Sequence, residues 1–501
     1  MNETYSRLIS SYKEIQTLAA VGGLLNWDQE TYMPPKGAAA RAEMIALTSG
    51  VAHDKLVAPE IGDLLGKLEG DGAGLGEGEK ANVREIKRAY EREVKIPAEI
   101  VRELARTTSL AQEHWVKARK ESRFDEFAPW LETIVGLKRK VCEAVGWPSG
   151  GEMYDAMLDE YEPGARAAEL RPMFASLKAA LVPLVQRIAA SKRQPDASIL
   201  TRSYPVERQK EFGLAVIRDM GFDLEAGRQD VSAHPFCSSF GPEDVRLTTR
   251  YNERDLRGAL FGSMHEAGHG LYEQGLAPEH MFTPLGTAVS MGVHESQSRM
   301  WENLVGRSRP FWSHYYPKLQ ATFPEALGGV AQDAFYFAVN EVRPSLIRVE
   351  ADEVTYNLHI LLRFELEQEL LAGKVAIGDL PAIWNKRMTE YLGIAPAKDG
   401  EGVLQDIHWS LGLMGYFPTY TLGNLYAAQL FAKAKKELGD LDARIGKGDL
   451  LPLRKWLREK IHRHGMRLRP ADLMREVTGE APTASYFTGY LEAKFGELYG
   501  L

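Results

Sequence analysis

Apolar positions recur at intervals of three and four through much of the chain. Over residues 81–122, Val83, Ile86, Tyr90, Val94, Ile100 and Leu104 keep that spacing among dense charge, and residues 165–191, 425–447 and 451–464 behave alike. A period near 3.6 predicts helices with one apolar face and one solvated Glu/Lys/Arg face. Proline and glycine punctuate the pattern at 34–37, 70–78, 147–151 and 163–164, and 70–78 reads as a mobile loop. Strict alternation is rare. The stretch Val245-Arg246-Leu247-Thr248-Thr249-Arg250-Tyr251 alternates and is rich in β-branched residues, and 198–204 (SILTRSY) is a weaker strand candidate. The pattern predicts a mainly helical protein with a small β-sheet just before the residues that carry chemistry. No repeat of fixed period and no linker-like run marks a boundary, so residues 1–501 read as one domain, within which subdomains without a visible boundary are left open.

Charge narrows the field. The 501 residues hold 61 Lys and Arg against 69 Asp and Glu, a net charge of −8. Nucleic acid and anionic lipid both need a basic face, so neither is expected as a partner. Two cysteines, Cys142 and Cys237, cannot build a disulfide framework and suit a reducing compartment. The start, MNETYSRLISSYKEIQ, lacks the basic and apolar regions of a secretory signal. No run of about 18 apolar residues predicts a membrane span. A cytoplasmic location is the expectation.

The sharpest chemical signal is His265-Glu266-Ala267-Gly268-His269. A chain of this composition would hold roughly 0.02 such pentads by chance. On a helix, residues four apart lie about 40° apart around the axis, so both imidazoles leave one face and suit two corners of a metal tetrahedron. Glu266, about 100° round from His265, can reach a metal-bound water without occupying a ligand position. Gly268 and Gly270 each cost a helix about 1 kcal/mol against alanine. Glycines so placed mark a close approach by another element, here the one bringing a third ligand. Downstream, Val289, Val293, Met300, Trp301 and Leu304 outline a second helix after a turn around 278–286. Glu295 on it completes a two-histidine, one-carboxylate set with a position left for water. Glu302 is the alternative ligand, and Glu295 as a surface charge is the bland reading.

The pentad followed by His294-Glu295-Ser296-Gln297 resembles the M32 carboxypeptidases of the zinc-dependent gluzincin clan. His234-Pro235-Phe236, Asp244-Val245-Arg246-Leu247-Thr248, Ile347-Arg348-Val349-Glu350-Ala351-Asp352 and Gly402-Val403-Leu404-Gln405-Asp406-Ile407-His408-Trp409 match further motifs of that family, as does Leu25-Asn26-Trp27-Asp28-Gln29-Glu30-Thr31. The resemblance implies a gluzincin-like, mostly helical fold with a long central groove. It also implies a homodimer, one zinc per chain (cobalt being possible in its place) and release of single residues from the C-terminus of short peptides.

Reading a terminal carboxylate calls for a guanidinium fork. Arg348 is the first choice, oriented by Glu350 and Asp352. Arg246 is the second, on a strand whose free edge could take up peptide by β-addition. The other reading of Arg348 is a structural ion pair with a carboxylate. By resemblance, a tyrosine after His408 stabilises the oxyanion, with Tyr420 ahead of Tyr416, while His408 holds the substrate carbonyl. His234 contacts substrate backbone or braces a loop. His53, His114, His314, His462 and His464 show no partner pattern and read as surface or helix residues, and Phe335-Tyr336-Phe337 reads as core. Rival readings are a dipeptidyl carboxypeptidase, an endopeptidase, or a helical interaction scaffold with a structural metal.

Overall fold

A computed structural model describes residues 2–71 and 74–501. Gly72 and Ala73, within the expected loop at 70–78, lie outside the described residues; helices Pro59–Asp71 and Glu77–Lys95 flank them. The chain is mainly helical with one three-stranded sheet. Its contacts group it into two compact units. One comprises residues 1–93, 195–339 and 427–481, and the other 94–194, 340–426 and 482–501.

The first unit carries the sheet and the pentad. Its N-terminal helices bury Leu8, Ile15, Ile61, Leu64, Leu65, Leu68, Leu75 and Ile86 in one cluster. The alternating segment forms β3 (Val245–Thr249), flanked by β1 (Gly227–Val231), parallel to it, and β2 (Cys237–Ser239), antiparallel. The order β1-β3-β2 makes β3 the central strand. Leu247 of β3 and Phe222 close on Gly270, so the sheet lies against the pentad helix.

Two strand expectations change. Residues 198–204 are not a strand: Ala197–Thr201 is a 3₁₀ turn whose start is capped by the Asp196 side chain, accepting from Ser198 N. A short polar side chain that caps locally outcompetes the β-branched composition. Arg246 is not on an edge, because β1 and β2 occupy both sides of β3, so no peptide can add there.

The second unit is built on helices. The one at Ala167–Ala190 buries Leu170, Phe174, Leu177, Leu181, Leu184, Val185 and Ile188, the expected amphipathic stripe. By length and composition alone it would also cross a bilayer. The continuous pattern over 81–122 is two helices, Glu77–Lys95 and Ala98–Glu121, divided at Pro97, which cannot extend the first. Phe335 and Tyr336, as expected, are buried.

Candidate metal centre and carboxylate-recognition cluster

The pentad lies on the helix Leu256–Gly275, started by Asp255, whose side chain accepts from Arg257 N. Fourteen of its twenty residues are buried, and its glycines act within that buried part. A Cβ on Gly268 would sit 2.6 Å from Ser298 Cα and 2.7 Å from Gln297 O. No other residue lets the helix Met291–Arg299 come so close. That second helix starts at Ser290, whose hydroxyl accepts from Val293 N, and widens into a π turn over Met300–Val305.

This contact brings Glu295 to the two histidines. Its Oε2 lies 3.5 Å from His265 Nε2 and 3.3 Å from His269 Nε2, and the three ligand atoms all fall within 4.8 Å of one another. A divalent ion with bonds of about 2.1 Å in a tetrahedron needs ligand-to-ligand edges of about 3.4 Å, so the donor set fits. The other oxygen, Oε1, is held by Arg299 Nε at 2.6 Å, and Ser298 Oγ donates to Oε2 at 2.9 Å, fixing the plane of the carboxylate. Burial alone would raise the Glu295 pKa, but Arg299, His265 and His269 together hold it well below the usual range.

Glu302, the alternative ligand, stands behind His265 instead: its Oε2 is 2.9 Å from the outer nitrogen Nδ1. Arg299 and Arg307 flank it. Three carboxylates surround His265. Burial opposes a charged imidazole at His265, yet Glu295, Glu302 and Glu266 outweigh burial and lift its pKa to about 9. Such a field favours a cation. Glu266 is 6% exposed, and among the described residues no hydrogen-bond partner holds its carboxyl. Burial, reinforced by the neighbouring carboxylates Glu295 and Glu302, pushes its pKa up to about 7.

The second unit gathers the other candidates. Arg348 is 5% exposed and oriented by Asp406, not by Glu350 or Asp352. Its Nε donates to Asp406 Oδ1 at 2.9 Å and its Nη1 to Tyr356 Oη at 3.1 Å. Asp352 instead accepts from Val354 N, Thr355 N and Arg343 N, tying the start of the helix Tyr356–Leu371, and Glu350 is exposed. Arg363, fully buried, donates from Nε to Asp406 Oδ2 at 2.6 Å. Burial would raise the Asp406 pKa, but the two guanidiniums drive it far below the carboxylate range. His408 Nε2 lies 3.4 Å from Tyr420 Oη, and the rings of Tyr416 and Phe417 complete the cluster. Burial lowers the His408 pKa to about 4, with Arg348 and Arg363 adding to it against Asp406, so the ring is neutral near neutrality.

Two candidates stand apart from these clusters. Arg246 makes a fork with Asp244, and its guanidinium lies 4.2 Å over the Trp27 ring. His234 is exposed, its carbonyl accepting from Ser232 Oγ. His462, expected on the surface or on a helix, opens the 3₁₀ helix His462–Arg467 but is 1% exposed, and its Nε2 meets Gln297 Oε1 at 2.9 Å. The sequence reading also passed over Glu273, Arg363 and Asp406. Glu273 is one turn beyond His269 on the same helix face, and Asp406 sits inside a quoted motif, so both left a signal.

Two imidazoles and a carboxylate gathered on two packed helices, with the Glu266 carboxyl beside them, form a donor set compatible with a metal-dependent hydrolase centre. The family model for carboxypeptidase Taq (M32) metallopeptidase matches residues 7–495. Thermostable carboxypeptidase 1 of Thermus thermophilus is 50% identical over 99% of both chains, and carboxypeptidase 1 of Bacillus subtilis is 40% identical over 97% of both. The crystal structure of the M32 carboxypeptidase from Deinococcus radiodurans superposes with a TM-score of 0.96 at 41% identity over 100% of both chains. The chain belongs to the M32 metallopeptidase family and is a metallocarboxypeptidase.

Proposed function

We propose that the protein is a zinc-dependent carboxypeptidase that releases single residues, with broad side-chain tolerance, from the C-terminus of short peptides. The observation that carries this reading is the convergence of His265 Nε2 and His269 Nε2 on Glu295 Oε2 at the spacing of a tetrahedral edge. Zinc suits two imidazoles, one carboxylate and one solvent position, and cobalt can take the same donors. When bound, it supplies polarisation of the scissile carbonyl and a more acidic attacking water.

The remaining chemistry falls to the chain. Glu266 takes the proton of the attacking water at its carboxylate and returns it to the leaving amine. Its burial beside Glu295 and Glu302, which raises its pKa, favours its holding that proton until the amine leaves. Arg348 receives the terminal carboxylate. The support is a charge count: Arg348 and Arg363 share the single carboxylate of Asp406, so the cluster keeps one positive charge for an anion. Tyr420 donates to the developing oxyanion, with Tyr416 the second candidate, and the neutral His408 donates to the substrate carbonyl.

The test is one defined peptide, with a free and with an amidated C-terminus, incubated with and without chelator, the products being weighed. Stepwise loss of single residues from the free form alone, abolished by chelator and restored by zinc, is the expected result. Loss of dipeptides, internal cuts, or hydrolysis indifferent to chelator would replace the reading by a dipeptidyl carboxypeptidase, an endopeptidase or a scaffold, respectively.

A further inference from the structure

The two candidate metal-binding imidazoles are backed differently. His265 turns its outer nitrogen directly to a carboxylate, Glu302. His269 does not. Its Nδ1 is in short hydrogen-bonding contact with Nδ1 of His294, and the Nε2 of His294 lies 2.8 Å from Glu273 Oε1. The rings of His269 and His294 lie 4.6 Å apart, and Tyr272 covers the other side of His294 at 5.3 Å. Glu273 is itself anchored. The Ser239 hydroxyl on β2 also hydrogen-bonds its carboxyl.

Hydrogen bookkeeping fixes the order of this chain. An ionised carboxylate only accepts, so His294 carries its hydrogen on Nε2. A neutral imidazole with hydrogen on Nε2 has a lone pair on Nδ1. Two Nδ1 atoms in contact share one hydrogen; a cation held by Nε2 of His269 leaves that ring's hydrogen on Nδ1, so His269 donates and His294 accepts. The Nε2 of His269 is then a bare lone pair, aimed at the side of Glu295 Oε2 where a cation would bind. The opposite tautomer of His294 would force the opposite tautomer of His269 and turn an N–H at the cation.

We propose that His294 is a positioning residue: with Glu273 behind it, it sets the tautomer and the ring plane of His269, and so sets the affinity of the site for its metal. The inference rests on the metal-binding reading above. Glu273 lies on the pentad helix and His294 on the helix that supplies Glu295, so the relay also ties together the two helices whose spacing defines the donor set. Outer partners of metal-bound histidines typically account for 10- to 100-fold in affinity.

The experiment compares His294→Phe, which keeps a ring and removes the acceptor, with His294→Asn, whose side-chain oxygen can stand where Nδ1 stood. Zinc affinity is measured by competition with a chromogenic chelator. The urea midpoint of each metal-free variant, and the side-chain ¹⁵N shifts of His269, are measured beside it. The expected result is zinc binding 10- to 100-fold weaker for His294→Phe and within about threefold of wild type for His294→Asn. His269 should hold hydrogen on Nδ1 in the wild type and a mixture of tautomers in His294→Phe. Should His294→Phe fail to fold, Glu273→Leu against Glu273→Gln makes the same comparison one step further out, since glutamine still accepts from His294. Equal zinc affinity across wild type, His294→Phe and Glu273→Leu would overturn the proposal, as would equal weakening of acceptor and non-acceptor variants. A wild type that binds no zinc at all would instead remove the metal reading, and this inference with it.

Discussion

The helix contact at Gly268 allows a prediction that separates folding from metal binding. In Gly268→Ala the new methyl carbon would lie 2.6 Å from Ser298 Cα, where ordinary contact begins at 3.4 Å, so the helices must part by about 0.8 Å. The obstacles are backbone atoms, which cannot swing aside as the tip of a side chain can. Overpacking of this kind costs about 1–3 kcal/mol, and alanine's better helix propensity returns about 1 kcal/mol. Net destabilisation is then at most about 2 kcal/mol, which a chain with this much buried core survives. Metal ligation is less forgiving, because bond lengths tolerate only about 0.2 Å. A shift of Glu295 several times that size should weaken zinc binding by an order of magnitude or more. Gly258, on the same helix, has nothing within 4 Å of its would-be methyl, so Gly258→Ala supplies the control. Urea unfolding of the metal-free proteins and chelator competition with zinc give the two readouts. We expect Gly258→Ala to match or exceed wild type in both, and Gly268→Ala to lose far more in zinc affinity than in stability. Wild-type zinc affinity in Gly268→Ala would refute the claim that this contact sets the donor spacing.

Glu266→Gln should keep the fold and bound zinc while kcat/KM falls by about 10²–10⁴, the range for general acid–base groups; full turnover would remove Glu266 from the chemistry. Asp406→Asn leaves Arg348 and Arg363 buried without their shared counter-ion and should destabilise the protein by about 3–5 kcal/mol in urea unfolding, whereas replacement of an incidental surface acid would not. His359, fully buried, has its pKa lowered to about 3 by burial, with Arg363 adding to it. The unfolded chain therefore binds a proton below about pH 6.5 that the folded one refuses, and stability falls as pH drops through that window. The slope from this residue is about 1.4 kcal/mol per pH unit. His359→Gln should remove about 2–3 kcal/mol of the stability lost between pH 6.5 and 4.5, and an unchanged pH profile would mean that His359 titrates while folded.

What the sequence made legible was the chemistry carried by contiguous residues. Helical period alone placed His265 and His269 on one face and Glu266 beside them. The glycine anomaly at Gly268 announced the second helix. The strand at Val245–Thr249 was visible because its sequence alternates and is rich in β-branched residues, although four of its five residues are buried. Its neighbours were not: Gly227–Val231 shows no clean alternation of burial and Cys237–Ser239 has three residues. Both exist by pairing with β3, a fact of tertiary structure. The same blindness made β3 an edge, since period two says which face is buried and nothing about what lies at either side.

The errors at the site share one physical origin. Arg348 was assigned the acids nearest in sequence, Glu350 and Asp352, but its partner is Asp406, 58 residues away. His462 was given no partner because nothing local supplied one, and its partner, Gln297, is 165 residues away. Short-range patterns report which side chains go inside. They do not report how a buried charge or ring nitrogen is compensated, because compensation inside a protein is arranged across elements. Burying Arg348 and Arg363 without an acid would be prohibitive, so a distant carboxylate was required once both lay on buried helical turns. Asp406, set two residues before His408 in a motif with no other assigned acid, met that requirement. The amphipathic pattern and the charge requirement, taken together, reach further than either alone: one finds the buried cation, and the other demands its partner.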